Sequence, residues 1–186
     1  MDRWFGDFAA RDDGPLTPGV TRRFQDPTVR AGELIAGYRR GMIFSADVPQ
    51  LAAEVVADLP AAGPAWAELA MASGTEPRSE LLPILERAAE EIAYDRSDEQ
   101  AEADLLESAA YRVVIGGEVM DESRRLQRLD DCTDGYYFDY GFEHRFDQAP
   151  ELEALRDARY ICGDDSDDQI ASVRTDLVRY LTSRYQ

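Results

Sequence analysis

The 186-residue chain reads as an all-α protein, and three observations predict it. Apolar residues recur at three- and four-residue steps through most of the chain, which is the spacing of one helix face. Two capping boxes, Ser97-Asp-Glu-Gln100 and Ser166-Asp-Asp-Gln169, mark helix starts. In such a box the hydroxyl accepts from an early backbone N–H, and the amide three residues on reaches back to the cap. Strict apolar–polar alternation, the signal of a strand, is confined to residues 136–142. The expectation is a compact multi-helix domain of about eight short helices, with connections short enough for neighbours to pack antiparallel.

Residues 1–26 read as an irregular N-terminal arm. Trp4, Phe5 and Phe8 sit at helical spacing, then Gly14-Pro-Leu-Thr-Pro-Gly19 places two Pro and two Gly close together, a helix-ending composition. From Pro27 the pattern is helical through Leu34, Ile35 and Tyr38, with Gly41 as the stop. Asp47-Val-Pro-Gln50 is a start signal: an acidic cap, then a Pro early enough to be harmless. Leu51, Val55 and Leu59 follow on one face, and Pro60-Ala-Ala-Gly-Pro64 closes that helix and opens one carrying Trp66, Leu69 and Ala70. Leu81, Leu85, Ala88 and Ile92 mark the next. Pro83 is tolerable there only in the first turn, which sets the start near Ser79 or Glu80.

The Ser97 box opens a helix with Leu105, Leu106, Ala109, Ala110, Val113 and Val114, ending at Gly116-Gly117. A helix with Arg124, Arg125 and Arg128 on its polar side follows. Pro150 opens a short one through Leu152 and Leu155 to about Tyr160. The Ser166 box opens the last, with Ile170, Val173, Leu177, Val178 and Leu181 on one face. Residues 27–186 thus form a single helical domain. A faint echo divides it into helical-hairpin halves, 27–95 and 97–186. Tyr38-Arg-Arg-Gly41-Met-Ile43 before Asp47 is matched by Val114-Ile-Gly-Gly117-Glu-Val119 before Asp121.

Leu34-Ile-Ala-Gly-Tyr-Arg-Arg-Gly-Met-Ile43, Val48-Pro-Gln-Leu-Ala52 and Trp66-Ala-Glu-Leu-Ala70 together resemble small acidic helical proteins of GC-rich bacteria whose activity is uncharacterised. The resemblance spans residues 30–93. It implies a helical fold and carries no activity.

Charge narrows the function classes. The chain holds 38 Asp and Glu against 20 basic residues, a formal charge of −18, and every basic residue is Arg. Without lysine there is no Schiff-base or lysine general-base chemistry. An excess of this size repels phosphate backbones and anionic lipid surfaces, which argues against nucleic acid and membrane as partners. It suits a basic protein. No apolar run approaches the ~20 residues of a membrane span, and the acidic-aromatic start does not read as a secretory signal. The expected location is the cytoplasm, with Cys132 and Cys162 as reduced thiols. Two Cys and the lone His144 cannot build a four-ligand zinc site, and no cofactor is expected.

Three constellations bear on chemistry. Asp164-Asp-Ser-Asp-Asp168 matches the D-D-x-x-D pattern by which carboxylates hold magnesium. On that alternative Asp164, Asp165 and Asp168 would be metal ligands. The competing reading makes Ser166 a cap, with acids favoured by the helix dipole. Asp130 to Gly141 fails as a calcium loop, because Cys132 and Gly141 stand where carboxylates are required.

Gly135-Tyr-Tyr-Phe-Asp-Tyr-Gly-Phe142 is the third. As an extended segment, Tyr136, Phe138, Tyr140 and Phe142 share one face, and Tyr137, Asp139 and Glu143 share the other. Either the rings clamp onto the helical core, or Asp134, Tyr136, Tyr137, Asp139, Tyr140, Glu143 and His144 form an aromatic–acidic contact surface. Such a surface suits Arg- and Lys-rich partners, because cation–π contacts add to ion pairs. His144 beside Glu143 is also an acid–base pair in outline, with no nucleophile elbow or phosphate loop to accompany it.

The function expected is therefore a non-catalytic acidic binding protein for a basic protein partner, in its sharpest form an immunity- or antitoxin-like inhibitor. The alternatives are a small divalent-metal enzyme using the 164–168 cluster and a homo-oligomeric structural protein.

Overall fold

The structure, a computed structural model, describes residues 16–116, 118–124, 126, 150–161 and 166–186. It is all-α: 75% of the described residues are helical, and no strand occurs among them. The alternating segment 136–142 lies outside the described residues, as do Trp4, Phe5, Phe8, Arg125, Arg128, Cys132 and Cys162.

Helix α1 spans Pro18–Gln25, inside the stretch expected to be irregular. The correction has a simple cause. Pro18 is the first helical residue, where its missing N–H has no intrahelical partner to lose and its fixed φ suits the helix. The Pro-Gly pair that reads as a stop is a start. The carbonyl of Thr17 accepts from Thr21 N at 3.3 Å and begins the ladder.

The described chain divides into two compact units, the first being Phe24–Ala101 with the second on either side of it in sequence. The division falls inside α1 and inside the helix Asp98–Val114 rather than in the loop near residue 96. Residues 16–23 join the second unit because they pack on the end of the C-terminal helix. Thr17 Oγ1 donates to the carbonyl of Tyr185 at 3.0 Å, and a Cβ on Gly19 would stand 2.5 Å from that same oxygen.

In the first unit, α2 (Pro27–Arg39) is capped by Asp26, whose carboxylate accepts from Thr28 N at 2.8 Å. It ends where Gly41 takes φ 75°, a conformation that favours glycine. Helix α3 (Val48–Asp58) starts with Pro49 in its first turn as expected, but Asp47 makes no capping bond through its side chain. Gln50 reaches forward to Glu54 at 3.3 Å instead of back. Helices α4 (Pro64–Ala70) and α5 (Arg78–Glu91) complete the unit.

Pro83 is the sixth residue of α5, one or two places deeper than the sequence suggests, and so beyond the first turn. Its ring is exposed, so the Ser79 carbonyl it leaves unpaired can be hydrated. Helix α3 packs along α4, α4 along α5, and α2 lies against α3 and α5. Between them sit Leu34, Ile35, Tyr38, Leu51, Val55, Trp66, Leu69, Leu81 and Leu85, each fully or almost fully buried. Each such aliphatic side chain contributes about 1.5–3 kcal/mol by leaving water. Trp66 donates its indole N–H to the carbonyl of Ala88 at 2.9 Å, so burying the ring strands no donor.

Helix α6 (Asp98–Val114), whose residues from Glu102 on belong to the second unit, opens with the reciprocal box its sequence predicts. Gln100 N donates to Ser97 Oγ at 3.3 Å, and Ser97 N donates to Gln100 Oε1 at 3.2 Å. A short helix over residues 119–124, a helix at Pro150–Asp157, a 3₁₀ turn at Ala158–Tyr160 and the C-terminal helix Ser166–Arg184 follow. The last two helices pack together, and Leu152, Leu155, Val173, Leu177 and Leu181 on them are buried. Ser166 is the first helical residue here, one place further in than a cap. Among the described residues no helix is long and apolar enough to cross a membrane.

Candidate functional site

The sequence-derived contact residues, Asp134, Tyr136, Tyr137, Asp139, Tyr140, Glu143 and His144, all lie outside the described residues. So do Asp164 and Asp165. Asp168 stands exposed in the first turn of the C-terminal helix beside Asp167, where the helix dipole favours negative charge. Among the described residues, no three His, Cys, Asp or Glu side chains are placed to share a metal ion.

Buried polarity concentrates elsewhere. Six buried polar or charged residues belong to the second unit: Glu102, Glu107, Ser108, Arg112, Glu122 and Ser123. Helix α6 carries the first four. Its apolar positions, Leu105, Leu106, Ala109, Ala110 and Val113, are buried too, so from Leu105 to Val113 every residue is out of water. A charge on such a helix must find its partner inside the protein.

Glu107 finds three. Tyr180 donates its hydroxyl to Glu107 at 3.2 Å, Tyr185 donates a short hydrogen bond to the second carboxylate oxygen, and Arg184 Nε makes a close ion pair. Tyr180, Arg184 and Tyr185 meet one carboxylate because residues four apart share a helix face, and the fifth follows where the helix ends. Nearby, Arg23 of α1 pairs with Asp104 of α6 at 3.3 Å.

Burial pushes both phenols above the usual tyrosine range, and the negative Glu107 adds to the effect. Burial alone would lower the Arg184 guanidinium, but the Glu107 charge and the neighbouring Tyr185 and Tyr180 together outweigh it, and the net shift is upward. Both phenols keep their protons at neutral pH, and the carboxylate accepts from each of them while pairing with Arg184.

A second buried pair lies further along α6. Arg112 Nε stands 3.0 Å from Glu122, and both side chains are almost fully buried. Next to Glu122, Ser123 donates to the carbonyl of Arg156 at 2.7 Å, fastening the 119–124 helix to the Pro150–Asp157 helix. Sequence reasoning passed over both clusters. The available signal was Glu107-Ser108 interrupting an apolar run, which reads equally well as a solvated stripe until the partners are known.

No family model, curated protein or solved structure matches the chain.

Proposed function

We propose that this chain is a non-catalytic acidic binding protein that engages a basic protein partner. The observation that carries the reading is the formal charge of −18, and several of the arginines that would offset it toward a partner are already paired within the chain. Arg30 pairs with Asp58, Arg39 with Glu86, Arg87 with Glu68, Arg112 with Glu122, Arg179 with Asp176 and Arg184 with Glu107. The unmatched carboxylates supply a negative field that steers cations inward and repels phosphate backbones. The Glu107 cluster supports the non-catalytic part of that reading, since its carboxylate is taken up by Tyr180, Arg184 and Tyr185.

In its sharpest form the protein is an immunity- or antitoxin-like inhibitor acting in the cytoplasm, covering a cationic active surface such as those that grip nucleic acid. Affinity capture from the native host, followed by titration of the purified captured protein, tests this. The expected partner is basic and stoichiometric, and its binding weakens as salt rises. Its activity on nucleic acid is suppressed in the complex. A neutral or acidic partner, or salt-independent binding, overturns the reading.

A further inference from the structure

Between Arg40 and Arg78 the chain contains no basic residue, while it carries five acids, Asp47, Glu54, Asp58, Glu68 and Glu76. This stretch forms the α3–α4 hairpin and the loops at its ends. It also holds three of the four large apolar side chains exposed among the described residues: Phe44 at 53%, Val56 at 41% and Met71 at 80%. Isolated exposed hydrophobes need no explanation, but their concentration in one acidic stretch invites one.

Phe44 and Met71 lie at the same end of the hairpin. A Cβ on Gly74, three residues past Met71, would stand 3.2 Å from the backbone of Ala46, two residues past Phe44. The two loops are therefore laid one on the other. Arg30 and Arg87, from neighbouring helices, offset Asp58 and Glu68. No arginine pairs with Asp47, Glu54 or Glu76 among the described residues, so the stretch itself keeps the negative charge of these three carboxylates.

We propose that this end of the α3–α4 hairpin docks a cationic amphipathic segment of a protein partner, apolar side on Phe44 and Met71, Arg or Lys toward Asp47 and Glu54. The inference rests on the acidic-binding reading above and gives it a surface. A second copy of this chain fits the face less well, because a self-complementary interface would set the same carboxylates against each other. A lipid surface or nucleic acid would meet like charge.

The test is titration of the full chain with three synthetic peptides: a helical Leu/Lys peptide, its Leu/Glu counterpart, and a Ser/Lys peptide of equal charge without an apolar face. The Leu/Lys peptide is expected to bind best, less tightly as salt rises. The double variant Phe44→Ser/Met71→Ser should weaken it about tenfold or more, as loss of central anchors does. The double variant Asp47→Asn/Glu54→Gln should weaken both cationic peptides.

Leu/Lys binding unchanged in both variants overturns this surface and leaves the acidic-binding reading standing. Absence of binding by either cationic peptide overturns both. A concentration-dependent dimer of the free chain that Phe44→Ser dissolves assigns the face to self-association and overturns the proposal. Melting curves check that the variants fold; should the apolar pair fail, the carboxamide pair decides alone.

Discussion

The Glu91 carboxylate stands 2.7–2.9 Å from the point a Cβ on Gly63 would occupy. It accepts from Gly63 N at 3.1 Å and Ala65 N at 2.8 Å, so α5 supplies the N-terminal cap of α4 across a separation of 28 residues. Gly63 is extended, with φ −99° and ψ −161°, a backbone any residue adopts. It is therefore the carboxylate, and not the backbone, that demands glycine.

The Gly63–Glu91 relationship predicts non-additive mutations. Gly63→Ala should cost about 1–2 kcal/mol by displacing the cap, and Glu91→Ala a similar amount by deleting it. With Glu91→Ala already present, Gly63→Ala should cost almost nothing, because the clash has gone. A denaturant-melt double-mutant cycle reads the coupling. Additive losses would show that Glu91 does not cap α4.

The Glu107 cluster predicts an alkaline limb of stability. Tyr180 and Tyr185 have folded-state pKa values raised above the ordinary phenol value. In the unfolded chain they ionise near pH ~10, while in the folded chain they still hold their protons. Their contribution is thus complete below pH ~10 and is lost as pH rises toward the folded values. Tyr180→Phe and Tyr185→Phe should flatten that limb. Phenolate absorbance should show two tyrosines resisting ionisation until the protein unfolds.

The Arg112–Glu122 pair predicts an asymmetry between breaking and replacing. Arg112→Ala should cost about 3–5 kcal/mol, because it leaves the Glu122 carboxylate buried without its cation. Arg112→Met combined with Glu122→Leu should cost far less, since two desolvated charges leave together. Chemical denaturation of both variants checks it. Equal losses would mean that the pair's attraction, and not the orphaned charge, sets the cost.

Pro83 predicts a stabilising change. In α5 it leaves the Ser79 carbonyl without its helical donor, and its ring is exposed. Pro83→Ala should raise stability by about 1–2 kcal/mol, the restored hydrogen bond outweighing the extra freedom of the unfolded chain. A lowered melting temperature would show that the proline is part of the packing.

What the sequence alone determined is local. The Ser97–Gln100 box, the stop at Gly41, the early Pro49 and the apolar faces of α5 and the C-terminal helix depend on residues within about two turns of one another, so spacing was enough. The all-α class follows because these local signals agree along the chain.

Only the tertiary structure decided which polar groups meet. Pro18 could stop a helix or start one, and it stands as a start between Thr17 and Gly19, which both lie against the Tyr185 carbonyl. Asp47 looks like the better cap by composition, yet the cap with two hydrogen bonds is Glu91, brought from another helix. Glu107 in an apolar run could have faced water. Three donors from the chain end put it inside, because a buried charge persists only where distant partners converge on it.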